Sequence, residues 1–324
     1  MKYTGLGGTG VQVSKLCMGT MSFGGDADEA AAAAMYKAAR DAGINFFDTA
    51  DQYAGGRSEQ ILGRLMAGER DKLVIASKCF NPTSDDPNAR GGSRRHIRRA
   101  CEASLKRLGT DHVEVFFLHQ RDRNTPMEEP LRGLEDLVQA GKILYPAVSN
   151  YSAWQTQRAL GIQHEHRWAR LQVIEPMYNL VKRQAEVEIL PMAQANGLAV
   201  IPYSPVGGGL LSGKYAGGGA KGRIVDNKNY AARYGEAWVQ ETAASFAAFC
   251  AKRGLHPVSA AVAWVGAHPA VTAPIIGARS LEQLKPSLDS VKLDMTAELR
   301  AEISALSRTP PIATDRLEEQ KAAS

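Results

Sequence analysis

The sequence predicts an α/β protein built as one closed (β/α)8 (TIM) barrel, and three observations point there. Eight short apolar strand segments alternate with helix-patterned segments along the 324 residues. Parallel neighbours need crossover connections, which the intervening helices supply, whereas hairpins would not. No G-x-G-x-x-G stands between the first strand and the first helix, so the fingerprint of an open dinucleotide-binding sheet is missing and the closed barrel is favoured. Such barrels run to about 250 residues or more as one unit, which makes 1–324 a single domain.

The opening KYTGL-GGTG-VQVSKL alternates apolar and polar residues around a Gly-rich turn and reads as a β-hairpin ahead of the barrel. A first barrel strand follows near Lys15 to Met18. Asp26 or Asp28 can cap a helix whose alanines run to Gly43, and INFFD, ending at Asp48, is the second strand. The helix-patterned segment Ser58 to Met66 leads to KLVIASK, Arg94 to Leu108 leads to HVEVFFLH, and Glu128 to Ala140 leads to ILYPAVS. Ser152 to Leu160 precedes LQVIEP; Ala185 to Ala195, stopped by Asn196-Gly197, precedes LAVIPYS; two helices between Ala237 and Gly266 precede VTAPIIG. Two regions stand outside the repeat: a long Gly-rich loop from Val206 to about Tyr234 after strand 7, and a charged, Pro-containing tail after Ser307, expected to be loosely ordered over 309–324.

Hydrophobic residues at 44% and charged residues at 23% give an ordinary globular balance, which excludes a disordered or fibrous chain. No basic segment followed by an apolar stretch opens the sequence, and no apolar run approaches the roughly 20 residues of a membrane span, so a cytoplasmic protein without a membrane partner is expected. Cys17, Cys79, Cys101 and Cys250 form no C-x-x-C pair and have no His at ligand spacing; reduced structural thiols and no metal follow. The net charge of +5 and the run RRHIRRACEASLKR first suggest a nucleic-acid surface. That run carries an apolar stripe at helical spacing and no interleaved aromatics, so its basic residues read as a solvated helix face and nucleic acid is excluded as partner. A basic protein still suits an anionic small ligand. The composition leaves room for a homo-oligomer without specifying one.

In a β/α barrel the strand C-termini and the loops after them form the active face. Asp48 ends the second strand, Lys78 the third and His119 the fourth, while Tyr53 lies in the loop after Asp48. Singly, a strand-end lysine reads as an ion-pair partner and a histidine there as a core residue. Together they make a proton-donating set: a tyrosine titrates near ~10 and needs a neighbouring cation to bring it toward working pH. Lys78 can be that cation, Asp48 can hold it, and His119 can hydrogen-bond a carbonyl oxygen or the phenol. Phe23, Phe80, Tyr178 and Trp238 fall in or near active-face loops, where each reads equally well as pocket lining or as packing.

FDTADQYAGGRSEQILGRLM, ASK, FLH, AVSNY, PMYNLVKR, PYSPVGGGLLSGKY and IIGARSLEQL, in that order, resemble the aldo-keto reductase superfamily over nearly the whole chain. The resemblance implies a catalytic tetrad of Asp48, Tyr53, Lys78 and His119 and an NADPH/NADP+ cofactor. It places Gly19, Thr20 and Met21 along the ribose and nicotinamide, Ser149 and Asn150 on the carboxamide, and Tyr203 stacked on the ring. Ser204 and Pro205 join the cofactor contacts, and Gly207, Leu210, Ser212 and Lys214 belong to the segment from Val206 to Lys214 that resembles the loop over the pyrophosphate, where glycines let backbone N–H groups approach phosphate. Gly277, Arg279, Ser280 and Gln283 match the adenosine end, and the fixed charge of Arg279 suits a 2′-phosphate, hence NADPH over NADH.

Three departures stand out. Glu175 occupies the place of a glutamine that bonds the carboxamide, Ala147 replaces a common glycine, and Ser287 stands for an asparagine near the adenine. An ionised Glu175 can accept but not donate, so that contact must change. The implied activity is reduction of an aldehyde or ketone to an alcohol. The alternative is a nucleotide-sensing interaction protein, similar to potassium-channel β subunits; a Schiff-base role for Lys78 is a third reading, disfavoured by the Asp48 and Tyr53 pairing.

Overall fold

The computed structural model describes residues 1–215, 222–316 and 318. A hairpin of β1 (Tyr3–Gly5) and β2 (Gln12–Ser14) precedes the barrel strands β3 (Cys17–Gly19), β4 (Phe46–Asp48), β5 (Val74–Cys79), β6 (Val113–Leu118), β7 (Ile143–Ser149), β8 (Val173–Glu175), β9 (Ala199–Val200) and β10 (Ile275–Ile276). These eight are parallel, in the order β10-β3-β4-β5-β6-β7-β8-β9. The seam between the two outermost strands is bridged just beyond β9, where the Ile275 N–H donates to the Pro202 carbonyl at 2.9 Å. The chain therefore closes as the expected (β/α)8 barrel.

Helices α1 (Glu29–Asp41), α2 (Arg57–Met66), α3 (Arg94–Leu108), α4 (Glu128–Gln139), α5 (Ala153–His166) and α6 (Ile189–Ala195) follow successive strands. Asp28, not Asp26, caps α1 by accepting from the Ala31 N–H at 2.8 Å. In α3 Ile97, Cys101, Leu105 and Leu108 are buried while Arg95, Arg98 and Arg99 face solvent, which is the amphipathic arrangement the sequence predicts. The long connection after β9 is present but is not all loop. It carries a 3-10 segment at Gly207–Ser212 and the short helices α7 (Arg223–Asp226) and α8 (Lys228–Tyr234), and 216–221 lie outside the described residues. α9 (Ala237–Lys252) and α10 (Pro257–Gly266) lead to β10, and α11 (Leu281–Asp289) and α12 (Ala297–Ser304) follow it. The expectation of a loose tail concerns 309–324, of which 317 and 319–324 lie outside the described residues.

Two apolar cores result from strand alternation. Cys17, Phe46, Val74, Ala76, Val115, Phe117, Ala147, Val173, Ala199 and Ile275 fill the barrel interior, and Leu6 and Val13 of the hairpin pack into the same cluster. The residues between them, such as Phe47, Ile75 and Phe116, pack outward against the helices. The hairpin turn fits closely: a Cβ on Gly7 would lie 3.0 Å from both the Gly197 carbonyl and the Ala199 nitrogen. Phe23 and Tyr178 are fully buried in the outer core, and Tyr178 tilts against Trp264 with ring centroids 5.2 Å apart. Both are packing residues. All four cysteines are buried free thiols.

Candidate active site

The alternation that fills the barrel also delivers the polar residues to its C-terminal rim. On β4, Phe46 enters the interior, Phe47 leaves it, and Asp48 is the next inward position; on β5, Ala76 and Lys78 repeat this while Ser77 turns out to donate to Glu59 of α2 at 2.6 Å. The register pairs Gly19 with Asp48 and Ser149 with Glu175, so neighbouring strands end at one level.

Lys78 is wholly buried. Its ammonium pairs with the Asp48 carboxylate, donates to the Thr49 carbonyl at 3.0 Å, and lies 3.4 Å from Glu175 Oε2. It also stands 5.3 Å from the centre of the Tyr53 ring, which His119 meets edge-on with centroids 6.1 Å apart. His119 Nδ1 is 3.5 Å from Asn81 Nδ2, and Asn81 in turn accepts from Gln120 at 3.2 Å. Asp48, Tyr53, Lys78 and His119 thus gather around one ammonium group.

Burial and charge set the protonation states. Loss of hydration alone would lower Lys78, but Asp48 and Glu175 reverse this and raise it above the ordinary lysine range. Burial, reinforced by Lys78, lowers His119 to about 3, so the imidazole is neutral near neutral pH. Tyr53 departs from the sequence expectation. Loss of hydration raises its phenol above the usual value, Lys78 offsets only part of that, and Asp48 and Glu175 raise it further. The phenol is therefore not acidified at rest; it keeps its proton, and the ammonium can act only on the phenolate as that charge forms.

Beside this group, Ser149, Asn150, Glu175 and Tyr203 form one bonded cluster. The Ser149 hydroxyl donates to the Glu175 carbonyl at 3.1 Å; the Asn150 amide donates to Ser149 Oγ at 3.0 Å and to the His119 carbonyl at 2.9 Å; and the Tyr203 hydroxyl donates to Asn150 Oδ1 at 2.7 Å. Asn150 and Ser204 take the left-handed backbone at φ 57° and 58°, a strained choice held here by surrounding bonds, among them Asn179 Nδ2 to the Ser204 carbonyl at 2.9 Å. Glu175 itself turns toward Lys78, and Ala147 is part of the interior wall.

The remaining candidates divide by exposure. Gly207, Gly208 and Gly209 are left-handed at φ 60°, 66° and 95°, Ser212 bonds back to the Gly209 carbonyl at 2.7 Å, and Lys214 is exposed. Pro205 and Leu210 are buried, Leu210 in the outer core. Thr20 is fully buried and its hydroxyl is engaged by the Asp48 carbonyl at 3.0 Å and Ser58 at 2.8 Å, whereas Met21 is 43% exposed at the rim. Gly277 is exposed next to Gly19, whose carbonyl would lie 3.4 Å from a Cβ there. Arg279 pairs with Asp26 at 3.0 Å, its N–H donates to Gln283 Oε1 at 3.3 Å, and Ser280 caps α11 through the Gln283 N–H at 3.3 Å. Ser287 is buried on α11 and its carbonyl accepts from Ser290.

Sequence reading missed Asn81, Thr49 and Ser58. Asn81 lies three residues beyond Lys78, so the accounting of polar residues past strand ends that found Tyr53 would have found it. Ser58 ties the loops after β3 and β4 to α2, bonding Thr20 and, at 3.1 Å, Thr49.

Fold and rim together define the class: the chain belongs to the Aldo/keto reductase family, whose sequence pattern matches residues 15–308. It is thus an oxidoreductase by family. It is similar to the "Uncharacterized oxidoreductase YrpG" of Bacillus subtilis (strain 168), at 39% identity over 310 residues covering 92% of this chain and 94% of that one. A "Probable voltage-gated potassium channel subunit beta" of Oryza sativa subsp. japonica is 34% identical over 336 residues, covering 97% and 99%. An "L-glyceraldehyde 3-phosphate reductase" of Escherichia coli O157:H7 is 31% identical over 318 residues, covering 94% and 91%. Among the described residues no helix is long and apolar enough to cross a membrane, and no group of three or more His, Cys, Asp or Glu side chains is set to hold a metal ion.

Proposed function

We propose that the protein is an NADP-dependent aldo-keto reductase that reduces aldehydes or ketones to alcohols by reversible hydride transfer, using NADPH in preference to NADH. The observation that carries this is the buried Lys78 ammonium, held by Asp48 under the Tyr53 ring with a neutral His119 at the ring's edge.

The residues present suit a nicotinamide dinucleotide. Glu175 Oε2 is buried without a hydrogen-bond partner beside the Ser149, Asn150 and Tyr203 cluster, three successive glycines hold a left-handed backbone with no side chain to block a close approach, and Arg279, paired with Asp26, carries a fixed positive charge. In this reading Ser149, Asn150 and Tyr203 hold the nicotinamide, Val206 to Lys214 the pyrophosphate, and Gly277, Arg279, Ser280 and Gln283 the adenosine end. Bound there, the nicotinamide supplies a hydride to the carbonyl carbon.

The chain's own residues do the rest. A neutral His119 donates an N–H to the carbonyl oxygen and orients it; an imidazolium would compete with Tyr53 for the proton transfer. Tyr53 gives its phenolic proton to that oxygen as negative charge develops on it. Lys78 stabilises the phenolate left behind, and Asp48 with the Thr49 carbonyl keeps the ammonium in place. Alcohol oxidation runs the same transfers in reverse. The substrate is a small carbonyl or alcohol compound, and the reading requires neither nucleic acid nor a membrane and suits a cytoplasmic enzyme.

Fluorescence titration with NADPH and NADH, followed by aldehydes, ketones and quinones with loss of reduced cofactor as the readout, tests the proposal. Equal affinity for the two dinucleotides removes the role given to Arg279; binding of neither ends the reading. The likeness to the rice β subunit favours a second one, a nucleotide-sensing interaction protein. Turnover far slower than cofactor exchange, together with stable co-purification of a partner, would select it.

A further inference from the structure

We propose that Glu175 links the redox state of the bound nicotinamide to a proton: its carboxylate favours the oxidised, cationic ring and its protonated form the reduced, neutral ring. The preference for oxidised over reduced cofactor therefore strengthens as pH rises. This deepens the nicotinamide reading and rests on it.

Position is the first argument. Glu175 ends β8 with its side chain buried, and its carbonyl accepts from the Ser149 hydroxyl at 3.1 Å and the Asn150 N–H at 3.3 Å. It is thereby fixed between Lys78 and the cluster assigned to the nicotinamide. Charge is the second. The buried Lys78 ammonium faces two carboxylates, Asp48 in direct contact and Glu175 at 3.4 Å, and Glu175 Oε2 has no hydrogen-bond partner. With all three ionised, a dry site holds one surplus negative charge, which is costly unless a proton or a second cation relieves it. A nicotinamide gains one positive charge on giving up its hydride, and a proton passing from Glu175 to solvent restores the total charge.

The other groups around Glu175 leave it the best-placed titrating site. They are Lys78 on β5, Asp48 on β4, Cys17 on β3, Tyr53 in the loop after β4 and Tyr203 beyond β9. Burial raises Cys17, Tyr53 and Tyr203, which stay protonated, and Lys78 stays charged. Burial raises Asp48 too, but that carboxylate holds the ammonium directly, whereas Glu175 lies further from it.

The test is the ratio of Kd for NADP+ to Kd for NADPH on the intact protein, measured from about pH 5.5 to about 9.5, for the native chain and for Glu175→Gln. The 2′-phosphate titrates near ~6 but is common to both dinucleotides and cancels in the ratio. The native ratio is expected to fall on the order of tenfold across the range, while Glu175→Gln, neutral throughout, gives a flat profile. A flat native profile, or an unchanged slope in Glu175→Gln, overturns the proposal, the latter assigning the proton to Asp48. If Glu175→Gln does not fold, calorimetry of the native protein in two buffers of different ionisation enthalpy decides: NADPH must take up more protons than NADP+ on binding, and equal uptake overturns the proposal. Failure of both dinucleotides to bind the native protein is a separate outcome that ends the nicotinamide reading itself.

Discussion

At the scale of single residues, the site is a lysine whose surroundings do two opposed things. Dry packing disfavours any charge, and the adjacent carboxylates make the ammonium the one cation that survives. Tyr53 inherits both effects, so its value to catalysis lies in the proton it keeps. Tyr53→Phe should cut turnover by about 10²- to 10⁴-fold while NADPH affinity by fluorescence titration changes little; undiminished turnover would remove the phenol from the chemistry. Lys78→Met should be worse for the fold than for binding. It leaves Asp48 and Glu175 buried without a counter-ion, a loss of about 3–5 kcal/mol in denaturant unfolding near neutral pH. Since both carboxyls are already raised by burial, the native variant holds protons that the unfolded chain releases as pH rises, so its deficit should shrink in mild acid. The four residues gathered at the rim were legible because each ends a strand or lies in the loop after one. Glu175 was legible as a departure but its partner was not: which side chains meet across the mouth depends on barrel shear, which no local pattern contains.

At the scale of elements, helices with a capping residue and a clean apolar stripe, such as α1 and α3, were legible almost to the residue. α5 runs on to His166 past the expected end at Leu160, because Ile162 and Gln163 beyond Gly161 are buried and the Gln163 side chain bonds the Ala169 carbonyl and the Leu171 N–H. α11 was not anticipated; it carries Pro286 in its interior, yet Ser280 caps the helix and Leu284 is buried on it. The strand segments LAVIPYS and VTAPIIG shrank to two paired residues each, since Pro202 and Pro274 have no N–H for the ladder. α2 packs closely on α3, where a Cβ on Gly63 would lie 2.6 Å from the Leu108 carbonyl oxygen. Gly63→Ala should force these helices apart and destabilise the protein by about 1–3 kcal/mol by denaturant titration. The atoms a Cβ on Gly63 would meet belong to Leu108 and Arg107 of α3 and not to the rim residues, so cofactor affinity should stay unchanged; a lost affinity with intact stability would contradict that separation.

At the scale of the whole molecule, the barrel was legible from its eight-fold alternation, while the buried charges beneath its rim were not, because burial is a property of the closed structure. Asp51 is the clearest case. It is 3% exposed, and neither carboxylate oxygen has a hydrogen-bond partner. Burial, with Glu59 adding to it, raises its carboxyl to about 7. In the unfolded chain the same group titrates near ~3.9. Between those two values the folded protein holds a proton that the unfolded chain has lost, so unfolding releases it and stability falls with rising pH; above the upper value both states are ionised and the effect levels off. The accumulated penalty is about 4 kcal/mol at most. Asp51→Asn removes the ionisation and keeps the shape. Its stability advantage over the native chain should be smallest below about pH 4, grow to about pH 7, and stay constant beyond. Urea unfolding of both proteins across that range decides the matter. A difference between the two proteins that does not change with pH would mean that Asp51 ionises in the folded protein as it does in the unfolded chain, and that the pH dependence of stability arises from Asp48 and Glu175 instead.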